Sequence, residues 1–294
     1  MTDTQNEVFK TPVNKIRLFE HGAPGSQNLK LTRKYYTEDM PDGRVKHIVQ
    51  NITDPDIVPY IPDGIGNSTD RQRISAVLII PGGAFRRLVY NFEGEDVAKW
   101  LNSMGIAAFV LECRLPSDEH DNAEDVPLID AMRAMRVIRG RAQEFGIDEA
   151  KIGVMGFSAG GFMAALLSTA YESDVYADYK YKDEYDKLSA RPDFAVCSYP
   201  VISIDDCIEA GKRYMSEEQV LERISDSKAK ILHKYNPDKL VRPDMPPVFI
   251  CETDDDRTTL SENSVGFYMA ARKAGVSAEL HIFRTGGHGY GCGD

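Results

Sequence analysis

The sequence has no long apolar run, a single tryptophan, few cysteines and no excess of positive charge. Each absence closes off a class of function. Nothing approaches the roughly 20 consecutive apolar residues that a membrane-crossing helix needs, so no membrane partner is expected. With 35 basic against 46 acidic side chains, the formal net charge is −11. A protein that grips phosphate backbones needs the opposite balance, so no nucleic-acid partner is expected either. The cysteines (Cys113, Cys197, Cys207, Cys251 and Cys292) form an odd set with no C-x-x-C pair. Several sit in apolar runs, which is the pattern of reduced core thiols. Residues Met1 to Lys10 are polar and lack the apolar stretch of a secretory signal. A cytoplasmic location is therefore expected. No cluster of His, Cys, Asp or Glu has metal-ligand spacing, so neither a metal nor a cofactor is expected.

What is present is a chain of 294 residues with 42% hydrophobic content, enough for a large core. Short apolar runs recur: Ala76 to Ile80, Ile106 to Leu111, Ile152 to Met155, Phe194 to Cys197, Val248 to Cys251 and Ala278 to Phe283. Most lack apolar/polar alternation, as parallel strands buried on both faces do. Helix-period segments separate them: Gly94 to Ser103, Leu128 to Phe145, Gly161 to Tyr171 and Ser264 to Ala274. This alternation predicts an α/β fold, a mostly parallel central sheet with helices on both faces. Trp100, on the first of these helices, is expected in the core. Val45 to Ile52 and Asp56 to Ile61 read as antiparallel edge strands around Asp54-Pro55, followed by a polar, turn-rich stretch from Pro62 to Arg73. The tyrosine-rich Tyr171 to Ser189 and the long Ile202 to Met245, with a helix expected over Glu217 to Ile231, are expected to lie over the C-terminal edge of the sheet, where ligands bind, with the tyrosines of Tyr171 to Tyr185 read as a half-buried surface excursion rather than a cleft lining. The expected organisation is one domain over residues 1–294, with edge strands in 1–75 and an insertion or small cap over 202–245.

Gly156-x-Ser158-x-Gly160 follows one apolar run and precedes a helix of small residues. That strand–turn–helix context is what a nucleophile elbow requires, because the sharp turn lifts the serine hydroxyl over the positive end of the helix. A phosphate-binding turn is the competing reading, but no P-loop lysine follows and no G-x-G-x-x-G phasing fits. A serine nucleophile needs a histidine base held by a carboxylate. His281 falls within a strand pattern and reads as structural. His288 sits in a glycine-rich loop after the last apolar run, where a base is expected. Asp254, Asp255 and Asp256 all follow the strand starting at Val248, and the residue pattern alone leaves open which is the acid. Pro81-Gly-Gly-Ala-Phe85, just after another strand, can aim amides at an oxyanion, and Ala159 supplies a further donor. Arg114 and Arg191 read as ion-pairing or carbonyl-capping residues.

These motifs, with Phe19 to Gly25, Glu93 to Leu111, Ser189 to Phe194, Tyr199 to Ile202 and Gly286 to Gly291, resemble the acetyl-esterase and xylan-esterase-like group of α/β-hydrolases. That group is related to acetylxylan and feruloyl-type esterases. The resemblance implies Ser158 as nucleophile, His288 as base, and amides of Gly83, Ala84 and Ala159 as the oxyanion hole. In such folds the acid follows a small residue opening its loop, here Thr253, by three positions, which points to Asp256. The chain departs from the family at Phe162, where a histidine is common, at Ala84, where a third glycine is common, and at Thr259-Leu260, where a valine–proline pair is common. The implied activity is cofactor-independent hydrolysis of short acyl esters, acetyl foremost, on sugars or xylo-oligosaccharides. A small-molecule ester is the expected partner, and a homo-oligomer is compatible with the sequence. A peptidase or amidase relative and a non-catalytic binding homologue are the alternatives. The first usually carries a large extra domain, and the second would have lost a triad member.

Overall fold

The computed structural model describes residues 9, 12–65, 73–216, 218–220 and 229–293. The polar start, residues 66–72 of the turn-rich stretch, and most of the helix expected over 217–231 lie outside that set. The core of the molecule is an eight-stranded sheet. Its strands are β1 (Ile16–Arg17), β4 (Asp56–Tyr60), β7 (Ala107–Glu112), β5 (Ile74–Ile80), β8 (Ile147–Phe157), β9 (Ala195–Ser198), β10 (Val248–Thr253) and β11 (Ala278–Phe283), in that spatial order. From β7 to β11 every neighbouring pair is parallel, whereas β4 is antiparallel to both β7 and β1. β5 and β7 are buried on both faces, which is why their sequences read as unbroken apolar runs. β11 differs, because Ile282 and Phe283 at this edge of the sheet are exposed.

Helices flank this mostly parallel sheet, and the fold is that of an α/β-hydrolase. They are α1 (Asp96–Ser103), α2 (Val126–Gly140), α3 (Ala159–Ala170), α4 (Ile204–Tyr214), α5 (Ala229–Lys234) and α6 (Ser261–Lys273). α1 buries Val97, Ala98 and Leu101. At ~100° per residue Trp100 falls well off the centre of that face, so it is 47% exposed rather than in the core. At the start of α2 a fully buried Arg114–Asp130 pair closes at 2.7 Å. The Arg114 guanidinium also donates to Ser26 Oγ at 2.9 Å and to the Pro24 carbonyl. This pins the 24–26 loop, and removing one partner of such a pair costs about 3–5 kcal/mol.

The N-terminal edge strands are arranged differently from the expectation. β3 (Val45–Gln50) does not pair with β4. It forms a separate antiparallel sheet with β2 (Lys34–Asp39) and β6 (Leu88–Val89). The chain leaves β3 through Asn51, at φ 58°, and enters the main sheet after Pro55. A charged cluster fastens the two sheets: Lys15 and Arg33 both reach Glu112 on β7 at 2.6 Å, and Tyr35 of β2 donates to Glu112 at 2.9 Å. Tyr171 to Ser189 also departs from its expected place. It runs along α2, where Arg133 pairs with Asp183 at 2.5 Å and Arg139 donates to the Ser189 carbonyl at 3.2 Å. Tyr176 is buried there. From the 202–245 segment, Lys234 and Tyr235 both bond Asp125 at the entrance of α2.

Candidate active site

Ser158 stands between β8 and α3 at φ 53° and ψ −117°, a strained conformation for a residue with a side chain. The flanking glycines are there for room. A Cβ on Gly156 would come within 2.0 Å of the Gly160 carbonyl oxygen, and one on Gly160 within 2.0 Å of the Ile80 oxygen. The Ser158 amide donates to the Ser198 carbonyl of β9 at 3.0 Å, which fixes the elbow against its neighbour strand.

Three side chains from separate strand ends meet in a line. His288 Nε2 lies 2.9 Å from Ser158 Oγ, and His288 Nδ1 lies 2.6 Å from Asp256 Oδ2. Asp256 is 3% exposed and also accepts the amides of Thr258 (2.7 Å) and Thr259 (3.0 Å). Burial alone would raise its pKa. The His288 hydrogen bond and charge, with those amides, outweigh burial and hold it below the usual carboxylate range. The Thr259 hydroxyl donates to Asp256 Oδ2 at 2.9 Å and lies 3.3 Å from His288 Nδ1. The sequence showed Thr259 only as a departure from the family pattern. Its neighbours differ in role. Asp255 accepts the Gly287 amide at 2.8 Å, across to the histidine loop rather than within its own. That bond holds its carboxyl below the usual range. His281 pairs with Glu279 at 2.6 Å on the exposed edge strand, away from this line.

The loop after β5 presents amides. The Gly82 carbonyl is taken by the amide of Val89 in β6, and the Gly83 carbonyl by the amides of Arg86 and Arg87 of the same loop. The amides of Gly83, Ala84 and Ala159 have no acceptor among the described residues. Ala159 opens α3, where the first N–H groups of a helix are left over. A Cβ on Gly82 would lie 3.0 Å from Ser158 Cβ, so this loop rests directly on the elbow. Glycine at 83 (φ 136°) and positive φ at Ala84 (57°) and Phe85 (58°) hold it in shape.

Two further residues converge on this region without having been singled out in the sequence. Glu93 is buried in the π-helical turn Asn91–Glu95 ahead of α1. Burial raises its pKa, against the Tyr199 hydrogen bond, the His288 charge and the Gly82 amide. Tyr199, fully buried at φ 37°, sets its ring 5.1 Å from the His288 ring. Neither had a signal beyond lying in segments that resemble the family. Among the described residues no group of His, Cys, Asp and Glu is arranged to hold a metal ion, and no helix is long and apolar enough to cross a membrane. Of the cysteines described, Cys113, Cys197, Cys251 and Cys292 are free thiols.

Residues 65–270 match a family model described as BD-FAE. The chain belongs to that family. An acetylxylan esterase of Xylanibacter ruminicola is 31% identical to this BD-FAE member over 74% of the chain and 41% of the relative's length. An endo-1,4-beta-xylanase B of Butyrivibrio fibrisolvens is 30% identical over 87% of the chain and 40% of its own length. The chain thus spans about two fifths of these curated relatives. A solved structure, an acetyl ester-xyloside bifunctional hydrolase of Caldicellulosiruptor lactoaceticus, superposes with a TM-score of 0.67 at 34% identity, over 95% of this chain and 89% of that one.

Proposed function

We propose that this BD-FAE protein is a serine carboxylesterase that removes short acyl groups, acetyl foremost, from acetylated sugars or xylo-oligosaccharides. The observation that carries the reading is the unbroken Ser158–His288–Asp256 line at 2.9 and 2.6 Å on a strained elbow. Ser158 Oγ attacks the ester carbonyl carbon while His288 Nε2 takes its proton. Asp256 holds the Nδ1–H tautomer and stabilises the imidazolium. The unclaimed amides of Gly83, Ala84 and Ala159 receive the developing oxyanion. The tetrahedral intermediate collapses, and His288 returns the proton to the leaving alcohol. Water, activated by the same histidine, then attacks the acyl-enzyme and regenerates Ser158. No step asks for a metal or cofactor.

The sugar part of the reading leans on the names of the acetylxylan esterase and the acetyl ester-xyloside hydrolase that the chain resembles. A cytoplasmic location, read from the unpaired thiols, belongs to the same proposal and would restrict the substrate to imported oligosaccharides. The test compares acetate release from an acetylated xylo-oligosaccharide with cleavage of an aminoacyl-anilide, using Ser158→Ala as control. Acetate release that vanishes in the variant is expected. Anilide cleavage without acetate release overturns the esterase reading in favour of an amidase.

A further inference from the structure

The oxyanion loop and the histidine loop come from different strands, yet one buried carboxylate touches both sides of the site. Glu93 Oε2 accepts the Gly82 amide at 2.8 Å, immediately ahead of Gly83 and Ala84. Glu93 Oε1 accepts the Tyr199 hydroxyl at 3.0 Å. That hydroxyl in turn accepts the Gly291 amide at 3.1 Å, on the far side of the His288 loop. Tyr199 is anchored at its backbone, where its amide donates to the Cys251 carbonyl of β10 at 2.7 Å. Its ring lies edge-on to His288. On the near side of His288, Asp255 and Thr253 already hold Gly287. Beyond His288, the Tyr199 hydroxyl is the hydrogen-bond partner of the Gly291 amide, and the Tyr290 ring packs on the Tyr199 ring at 4.6 Å.

We propose that Glu93 is a positioning residue whose carboxylate clamps the oxyanion loop to the histidine loop through Gly82 and Tyr199. The inference rests on the triad reading above and adds a group that touches no reacting atom. A carboxylate is suited to this place because both of its oxygens accept, and both neighbours donate. Glutamine of the same shape accepts at one end only and turns an N–H₂ toward the other donor. The clamp would keep the amides of Gly83 and Ala84 at a fixed distance from the Ser158–His288 pair while charge builds on the oxyanion. A misplacement of about 1 Å in such an array costs on the order of 10²-fold in rate.

The experiment measures p-nitrophenyl acetate hydrolysis per active site, counted by titration with an organophosphate ester, for Glu93→Gln, Tyr199→Phe and the double variant. The expected result is a fall in per-site kcat of about 10- to 100-fold in each single variant, with KM changed less than about threefold. The double variant should lie within about twofold of the worse single one, because both changes cut the same link. A purely structural role would lower the number of titrated sites and leave per-site kcat alone. Per-site kcat within about twofold of wild type in either single variant, or losses that multiply in the double variant, overturns the clamp. If Glu93→Gln fails to fold, Tyr199→Phe, which removes a single hydroxyl, decides alone. A wild type that takes up no organophosphate, or a Ser158→Ala variant that still does, overturns the nucleophile assignment and the clamp with it. That outcome is separate from the failure of Glu93.

Discussion

Three consecutive aspartates acquire three different surroundings from one turn of chain. Asp256 turns inward to His288, Asp255 crosses to the Gly287 amide, and the Asp254 side chain is exposed while its amide closes on the Phe283 carbonyl at 2.8 Å. Of the three, Asp256 is the one hydrogen-bonded to His288 Nδ1, so on the proposed mechanism Asp256→Asn should lower kcat by roughly 10³–10⁴-fold with KM little changed. Steady-state kinetics on p-nitrophenyl acetate checks this, and a fall below tenfold sends the acid role elsewhere. Because the Asp255 bond lands on Gly287, beside His288, Asp255→Ala should cut kcat by roughly 3- to 10-fold, and wild-type kcat would show that the histidine loop stands without it. Ser158→Ala should lower kcat by at least about 10³-fold while shifting stability by less than ~1 kcal/mol, since alanine inherits the same φ and no packed group is lost. Loss of both activity and fold would mean that the hydroxyl is structural.

Among the elements, β10 carries a further buried carboxyl, besides Asp256 and Glu93, near the site. Glu252 has no exposed surface and accepts the Thr253 amide at 2.9 Å and the Ser264 hydroxyl at 3.3 Å. Burial pushes its carboxyl from the ordinary 4.5 up to about 8, against the Thr253 amide and with a further push from the Asp256 charge. Below 4.5 both the folded and the unfolded chain keep Glu252 protonated; between 4.5 and about 8 only the folded chain does. The folded state binds more protons in that window, so the Glu252 contribution to stability falls as pH rises through it and levels off above it. Glu252→Gln, neutral throughout, should be more stable than wild type near pH 9 and lose that advantage near pH 4, as urea unfolding at the two pH values would show. Equal differences at both would mean that the carboxyl ionises freely. The strands around β10 were legible because parallel strands buried on both faces leave apolar runs that composition cannot hide, as in β5 and β7. The half-buried β2 and the buried but two-residue β6 leave no such run. β3 and β4 looked like partners because only their closeness in sequence is visible, while the Glu112 cluster that fastens the β2–β3–β6 sheet to the main one is assembled from residues far apart in the chain. Trp100 was misplaced because bulk and apolarity were read ahead of the helical angle of its face.

Taken as a whole, the molecule assembles its candidate site from the C-terminal ends of β5, β8, β10 and β11, with Tyr199 after β9 filling the space between them. Ser158 and His288 could be picked out because glycines mark the tight turns that carry them. Asp256 needed the family resemblance to separate it from its neighbours. Glu93 and Tyr199 escaped, since a buried carboxylate and a buried tyrosine have no pattern of their own, and their meaning appears only when three loops are folded together. The same assembly sets the size of acyl group that fits. Beside Ala159 lies a small apolar pocket lined by Gly82, Phe85, Leu115, Pro127 and Met163. Phe85, Leu115 and Met163 are 6%, 2% and 2% exposed, so its walls are themselves packed core, and Phe85 stacks edge-on against Phe162 at 5.5 Å. Its open volume is only about 10 Å³, barely the room of one water, so it would receive nothing larger than an acetyl methyl. A longer chain gains about 0.8 kcal/mol per methylene only where a dry apolar groove continues to receive it. Displacing packed side chains to make one costs about 1–3 kcal/mol. Acetyl should therefore exceed octanoyl by at least about tenfold in kcat/KM, measured on the two p-nitrophenyl esters with per-site normalisation. Equal values would show that the acyl chain leaves the site by another route, along a surface open to long alkyl groups, and would make the enzyme lipase-like.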